Sequence, residues 1–192
     1  VEFSKASRNI VGFEVQTLRE TGRPILDVVE DGDTFAYNAR KKAAEQALHL
    51  GAWVMADDSG LAVDALGGRP GVYSARYAGE NGTDADNNAK LLAELDDLPL
   101  ARRTAHYVCH VAVADPCGEI RAESADICRG RIVFEPAGTN GFGYDPLFEV
   151  VEYHQTFGQL GPLVKAAISH RARALRSVVP KLLALAGSGT WS

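Results

Sequence analysis

Residues 56–80, ADDSGLAVDALGGRPGVYSARYAGE, constrain the chain more than any other stretch, because an acidic strand end runs there into a glycine- and proline-punctuated turn. The apolar run AWVM before it has strand character, so Asp57 and Asp58 are expected where a strand leaves the core. Neighbouring strand residues point to opposite faces, so at most one of the two aspartates can face a given cleft. Ser59 and Gly60 are small and leave room beside it. LAVDAL then reads as a second short strand and GGRPG as a turn. On chemistry alone, an isolated DDSG also serves to cap or end an element. A calcium loop is excluded, since DDSGLAVDALGG lacks the sixth-position glycine and twelfth-position glutamate.

The totals remove several function classes. With 20 Lys and Arg against 25 Asp and Glu, the formal charge is -5, so no broad basic surface points to nucleic acid or an anionic membrane. Any phosphate site must be local. Cys109, Cys117 and Cys128 form no CxxC pair and are read as reduced thiols, neither a disulfide framework nor a zinc site. No apolar run approaches the roughly 18 residues of a membrane span, and the N-terminus shows no signal pattern, so a cytoplasmic protein is expected.

In chain order, Val1, Phe3 and Ile10 are loosely placed for a helix face, and residues 12–18 alternate like a strand. ILDVVEDGD, residues 25–33, reads as a strand fading into an acidic loop, with Asp33 as N-cap of the helix TFAYNARKKAAEQALHL that ends before Gly51. A second helix, TDADNNAKLLAELDDL, is capped by Thr83 or Asp84, with Ala89, Leu92 and Leu95 inward. A meander follows: one strand to Ala114, a turn at DPCG, a second strand to Cys128 and a third around Ile132. His106 and His110 share a strand face, but no third ligand accompanies them, so they are read as sheet residues. PAGTNGFGYDPLF, residues 136–148, predicts a loop with close backbone approach. In the last helix Ser169 is the cap, Ala172, Leu175, Val179, Leu182 and Ala186 have helical spacing, and Pro180 is expected to bend or interrupt it.

Four of these motifs, in order, resemble those of the inosine/xanthosine triphosphate pyrophosphatases, which hydrolyse nonstandard purine nucleoside triphosphates to the monophosphate and pyrophosphate. The 56–80 block is similar to their signature, TFAYNARKKA to TFxENAxxKA, GTNGFGYDPLF to GxxGFGYDPxF, and KAAISHRARAL to KxxxSHRxxA. The resemblance implies Glu30 and Asp58 as Mg²⁺ ligands, with Asp58 also catalytic. It implies substrate contacts from Lys42, Ser59, Phe142, Gly143, Tyr144, Asp145, Lys165, His170 and Arg171. In that reading Lys42 and Lys165 stabilise charge on the departing pyrophosphate, and the 142–145 loop, His170 and Arg171 choose the base. The implied fold is α/β: an elongated, twisted mixed β-sheet flanked by helices, two lobes and a central nucleotide cleft. Residues 1–186 form one two-lobed domain, residues 187–192 a tail, and the implied assembly is a homodimer.

Two departures stand out. Tyr37 occupies a position where the family usually has Glu, replacing a carboxylate near the metal site with a phenol. The family's opening strand and [S/T]xNxxK phosphate loop have no match, since SKASRN lacks the spacing. The expectation is that this loop was trimmed or lost, and its loss supports an alternative: a nucleotide-binding member without turnover.

Overall fold

The computed structural model describes residues 9–10 and 13–189. Val1, Phe3 and residues 190–192 lie outside them. Ile10, expected on a helix face, lies instead in a two-residue strand, β1 (Asn9–Ile10), which pairs with β2 (Phe13–Glu14), the only strand among the described residues of 12–18. The remaining elements are α1 (Phe35–Leu50), β3 (Val54–Val63), α2 (Asp84–Glu94), β4 (Thr104–Ala114), β5 (Ile120–Ile132), β6 (Phe148–Val150), β7 (Gln155–Thr156), α3 (Pro162–Ile168) and α4 (His170–Gly187). Strands β3 to β7 form one sheet in sequence order, and every pairing in it is antiparallel. The α/β class is as expected. The parallel pairing that a mixed sheet needs is not found among the described residues.

Strand β3 departs most from the local reading. It runs unbroken through DDSG, because β4 pairs with it residue by residue from Val54 opposite Ala114 to Val63 opposite Ala105. Ladder hydrogen bonds satisfy the backbone that Asp, Ser and Gly would otherwise turn. Gly60 marks a close approach: a Cβ there would lie 2.6 Å from the Gly71 carbonyl oxygen. For the same reason the expected second and third meander strands are one, β5. Gly130 does not break β5 but sits under the Phe148 ring. The turn between β4 and β5 is where DPCG predicts it, with Asp115 accepting from the Cys117 and Glu119 amides.

Helix boundaries follow cap chemistry. Thr34, one residue beyond the predicted Asp33, caps α1 by accepting from the Tyr37 amide, and Gly51 ends it at φ 57°. Residues 25–33 are irregular, not strand. Thr83 and Asp86 form a capping box on α2, whose inward residues are Asn87, Leu91 and the partly buried Leu92, with Leu95 just past its end, while Ala89 is exposed. Each such leucine is worth about 1.5–3 kcal/mol when fully buried. Ser169 ends α3 and caps α4. Helix α4 continues through Pro180, which lies on its exposed side, where a carbonyl deprived of its donor can turn to solvent. Its buried stripe is His170, Ala174, Val178 and Leu182.

Alternation along β3 and β4 sorts the core. On one face Ala39, Ala43 and Ala47 of α1 pack on Val54, Ala112 and Ala114; on the other, Ala174, Val178 and Leu182 of α4 pack on Cys109, Val111 and Val113. A third cluster, with Leu61, Val63, Leu91, Leu95, Tyr107, Phe148 and Phe157, fills the opposite end of the sheet. The polar run Asp57, Asp58, Ser59 lies at the junction of these apolar ends. No helix among the described residues is long and apolar enough to cross a membrane.

Candidate active site

Asp58 points to the α1 face of β3. Its Oδ1 accepts from Lys42 Nζ at 2.9 Å, and the same ammonium lies 2.9 Å from Glu30 Oε2. Asn38, one helical turn before Lys42, donates to Asp58 Oδ2 at 3.3 Å and accepts from the Gly32 amide. That last contact tethers the acidic loop to α1 and brings Glu30 within reach. Arg76 donates to the Glu30 carbonyl. Two carboxylates therefore share one ammonium. Burial and the neighbouring Glu30 push the Asp58 carboxyl above the usual carboxylate range, outweighing Lys42. Burial alone would lower the Lys42 ammonium, but its bonds to Glu30 and Asp58 raise it instead.

The other predicted residues gather across the strand. Asp57 and Ser59 point to the α4 face, where Arg171 donates to Asp57 Oδ2 at 2.9 Å and to Ser59 Oγ at 2.7 Å. Asp145 is buried, ion-paired with Lys165, and accepts from the Phe142 amide at 2.8 Å and the Tyr107 hydroxyl at 3.4 Å. Gly141 is required beside it, since a Cβ there would collide with the Asp145 carboxylate. Phe142 is 63% exposed, with the Lys165 ammonium 4.8 Å and the Arg171 guanidinium 5.9 Å from its ring centroid. His170 is buried and stacked on Tyr107, centroids 4.6 Å apart, and its Nδ1 has no hydrogen-bond partner among the described residues. Burial, reinforced by Arg171 and Lys165, lowers its pKa to about 3, so the ring is neutral at physiological pH. Tyr144 is buried, with its hydroxyl on the Ser74 carbonyl, so its phenol braces the loop.

Lys42 and Lys165, both expected to face the departing pyrophosphate in one groove, make their contacts in two separate groups of residues. Lys165 joins Asp145, Phe142 and Arg171 on the α4 face, whereas Glu30, Lys42 and Asp58 meet on the α1 face. The cause is the strand's two-residue period acting on Asp57 and Asp58. Both groups nevertheless adjoin β3 at the edge of the sheet. Two contributors were missed, Asn38 and Asp57. The four-residue spacing of Asn38 and Lys42 on a helix was the available signal for the first. His106 lies 3.6 Å from Asp64 and His110 3.9 Å from Glu123, and among the described residues no three His, Cys, Asp or Glu could hold a metal together. All three cysteines are free.

Comparison with known proteins adds a family and an activity. Residues 2–181 match the model of the Ham1 family. A dITP/XTP pyrophosphatase of Rhodopirellula baltica is 59% identical over 167 residues, covering 87% of this chain and 80% of that protein. One from Shouchella clausii is 54% identical over 80% of this chain and 77% of its own. Among solved structures, the Staphylococcus aureus Ham1 protein superposes with a TM-score of 0.77 at 42% identity, over 83% of this chain and 81% of that one. A nucleoside-triphosphatase/dITP/XTP pyrophosphatase of Mycobacterium abscessus gives 0.74 at 44%, over 92% and 89%.

Proposed function

The chain belongs to the Ham1 family, and from that premise we propose that residues flanking β3 carry its chemistry. It is a hydrolase of nonstandard purine nucleoside triphosphates such as dITP and XTP, releasing the monophosphate and pyrophosphate. The observation that carries the site assignment is the convergence of Asp58 and Glu30 on one cation, the Lys42 ammonium, each at 2.9 Å.

Glu30 and Asp58, drawn together by that ammonium, would hold Mg²⁺ beside it through carboxylate oxygen, the hard ligand this ion prefers alongside phosphate and water. When bound, that ion would neutralise charge on the phosphates. Asp58 accepts the proton of the attacking water as the water oxygen bonds to the α-phosphorus. The α–β phosphoanhydride bond breaks and its electrons leave with pyrophosphate. Lys42 is held protonated and steadies the negative charge that grows on that leaving group. Asn38 holds Asp58 in place through the carboxylate oxygen that Lys42 does not use.

On the other face, Phe142 offers an exposed ring for stacking on the base, and Lys165 and Arg171 supply donors. Donors suit a 6-keto oxygen. Adenine's amino group would set donor against donor and leave buried groups unmatched. A homodimer, implied by the resemblance, and the cytoplasmic location expected from the sequence complete the reading.

The test is pyrophosphate release from ITP and ATP with Mg²⁺. ITP is the expected substrate, and Asp58→Asn lowers its turnover by about a hundredfold or more. Unchanged turnover in that variant removes Asp58 from the catalytic role.

A further inference from the structure

We propose that Asp84 and Asn88 of α2 are positioning residues that set base selectivity by clamping both backbone groups of Gly143. This deepens the pyrophosphatase reading and rests on it. The Gly143 amide donates to Asp84 Oδ2 at 2.7 Å, and the Gly143 carbonyl accepts from Asn88 Nδ2 at 3.0 Å. Residues four apart on a helix lie above one another on one face, so a single face of α2 grips both backbone groups of one residue. Gly143 takes the left-handed conformation, φ 59°, in which a side chain would be strained.

The clamp lies between two residues with opposite needs. Tyr144 is buried and anchored to the Ser74 carbonyl, whereas the Phe142 ring is 63% exposed. No apolar pocket encloses that ring, which rests beside the Lys165 and Arg171 cations, so its direction depends also on the backbone that carries it, and Gly143 is the next residue along. Asp145 holds the Phe142 amide on the other side.

Helix α2 is a rigid mount for this grip. Leu91 and Leu95 sink into the core, Thr83 and Asp86 close its first turn, and Asn87 bonds the Ala75 carbonyl and the Ala78 amide. The adjacent asparagines thus reach two different loops, Asn87 the segment around residues 75–78 and Asn88 the base loop. Asn88 Oδ1 is buried without a hydrogen-bond partner among the described residues. That costs stability, and the cost is offset by what its Nδ2 holds.

The test compares Asp84→Ala, Asn88→Ala and Asp84→Asn with wild type. Steady-state kcat and KM are measured for ITP and ATP, and hydrogen–deuterium exchange is measured over residues 141–145. The alanine variants are expected to raise KM for ITP by about fivefold, the scale of one hydrogen bond, with kcat nearly unchanged and ITP-over-ATP preference reduced. Loop amides exchange faster while those of β4 and β5 keep their rates, and Asp84→Asn, which retains an acceptor, restores most of both properties. Equal losses for ITP and ATP, or a fall in kcat alone, overturn the selectivity role. Loop exchange identical to wild type overturns the clamp itself. If the wild type turns over neither ITP, dITP nor XTP, the pyrophosphatase reading fails and takes the selectivity role with it, while exchange still decides the clamp.

Discussion

Acidification should destabilise this protein through His170 in a way that a single substitution isolates. The ring is buried against Tyr107 and beside two cations, and its pKa is lowered to about 3 from an ordinary value near 6.5. Below pH 6.5 the unfolded chain takes up a proton at this site that the folded protein refuses. The native state thus carries no penalty from His170 above about pH 6.5, and loses stability as pH falls from there toward about 3. Each unit costs about 1.4 kcal/mol, so roughly 2 kcal/mol is lost at pH 5, with a ceiling of roughly 5 kcal/mol. The assay is urea unfolding of wild type and His170→Gln at pH 7 and pH 5. Glutamine does not titrate, and acid effects shared by both proteins cancel in the difference. Whatever the variant loses at pH 7, the gap between the two proteins should move by about 2 kcal/mol in its favour at pH 5. Parallel behaviour of the two proteins refutes the buried neutral ring, as does an NMR titration placing His170 near 6.5.

Two further outcomes follow from close contacts. Gly60→Ala forces a Cβ against the Gly71 carbonyl and Ser74 Oγ, and should destabilise by about 1–3 kcal/mol, read as a lower urea midpoint with unchanged slope. Arg171→Lys keeps the charge but loses the fork that bridges Asp57 and Ser59. It should raise KM for ITP several-fold, and a KM equal to wild type removes the bridge from substrate binding.

Much of the fold was legible because it rests on local chemistry. The caps Thr83 and Ser169, the αL glycine after α1 and the turn at DPCG are short-range hydrogen-bond solutions that a few letters specify. What was not legible depends on distant partners. DDSG reads as a break because its propensities favour turns, yet a ten-residue ladder with β4 overrides them. Residues 25–33 read as a strand from β-branched content, but no described strand pairs with them. At the candidate site, the motifs pointed to residues in one groove, and the strand's alternation, which depends on partners distant in sequence, divides them between two faces. Lys42 and Lys165 are alike in sequence, and only the faces of β3 separate them.

In the proposed reading, the Asp57–Asp58 pair would tie recognition and hydrolysis to a single amide plane. The guanidinium that would sense the base pulls on one carboxylate, and the next residue carries the other. One letter inserted or deleted between Val54 and Asp57 would rotate the downstream strand by half a period, exchanging the two assignments at once and sending Leu61 and Val63 to the wrong side. This segment should therefore tolerate substitution far better than any change of length.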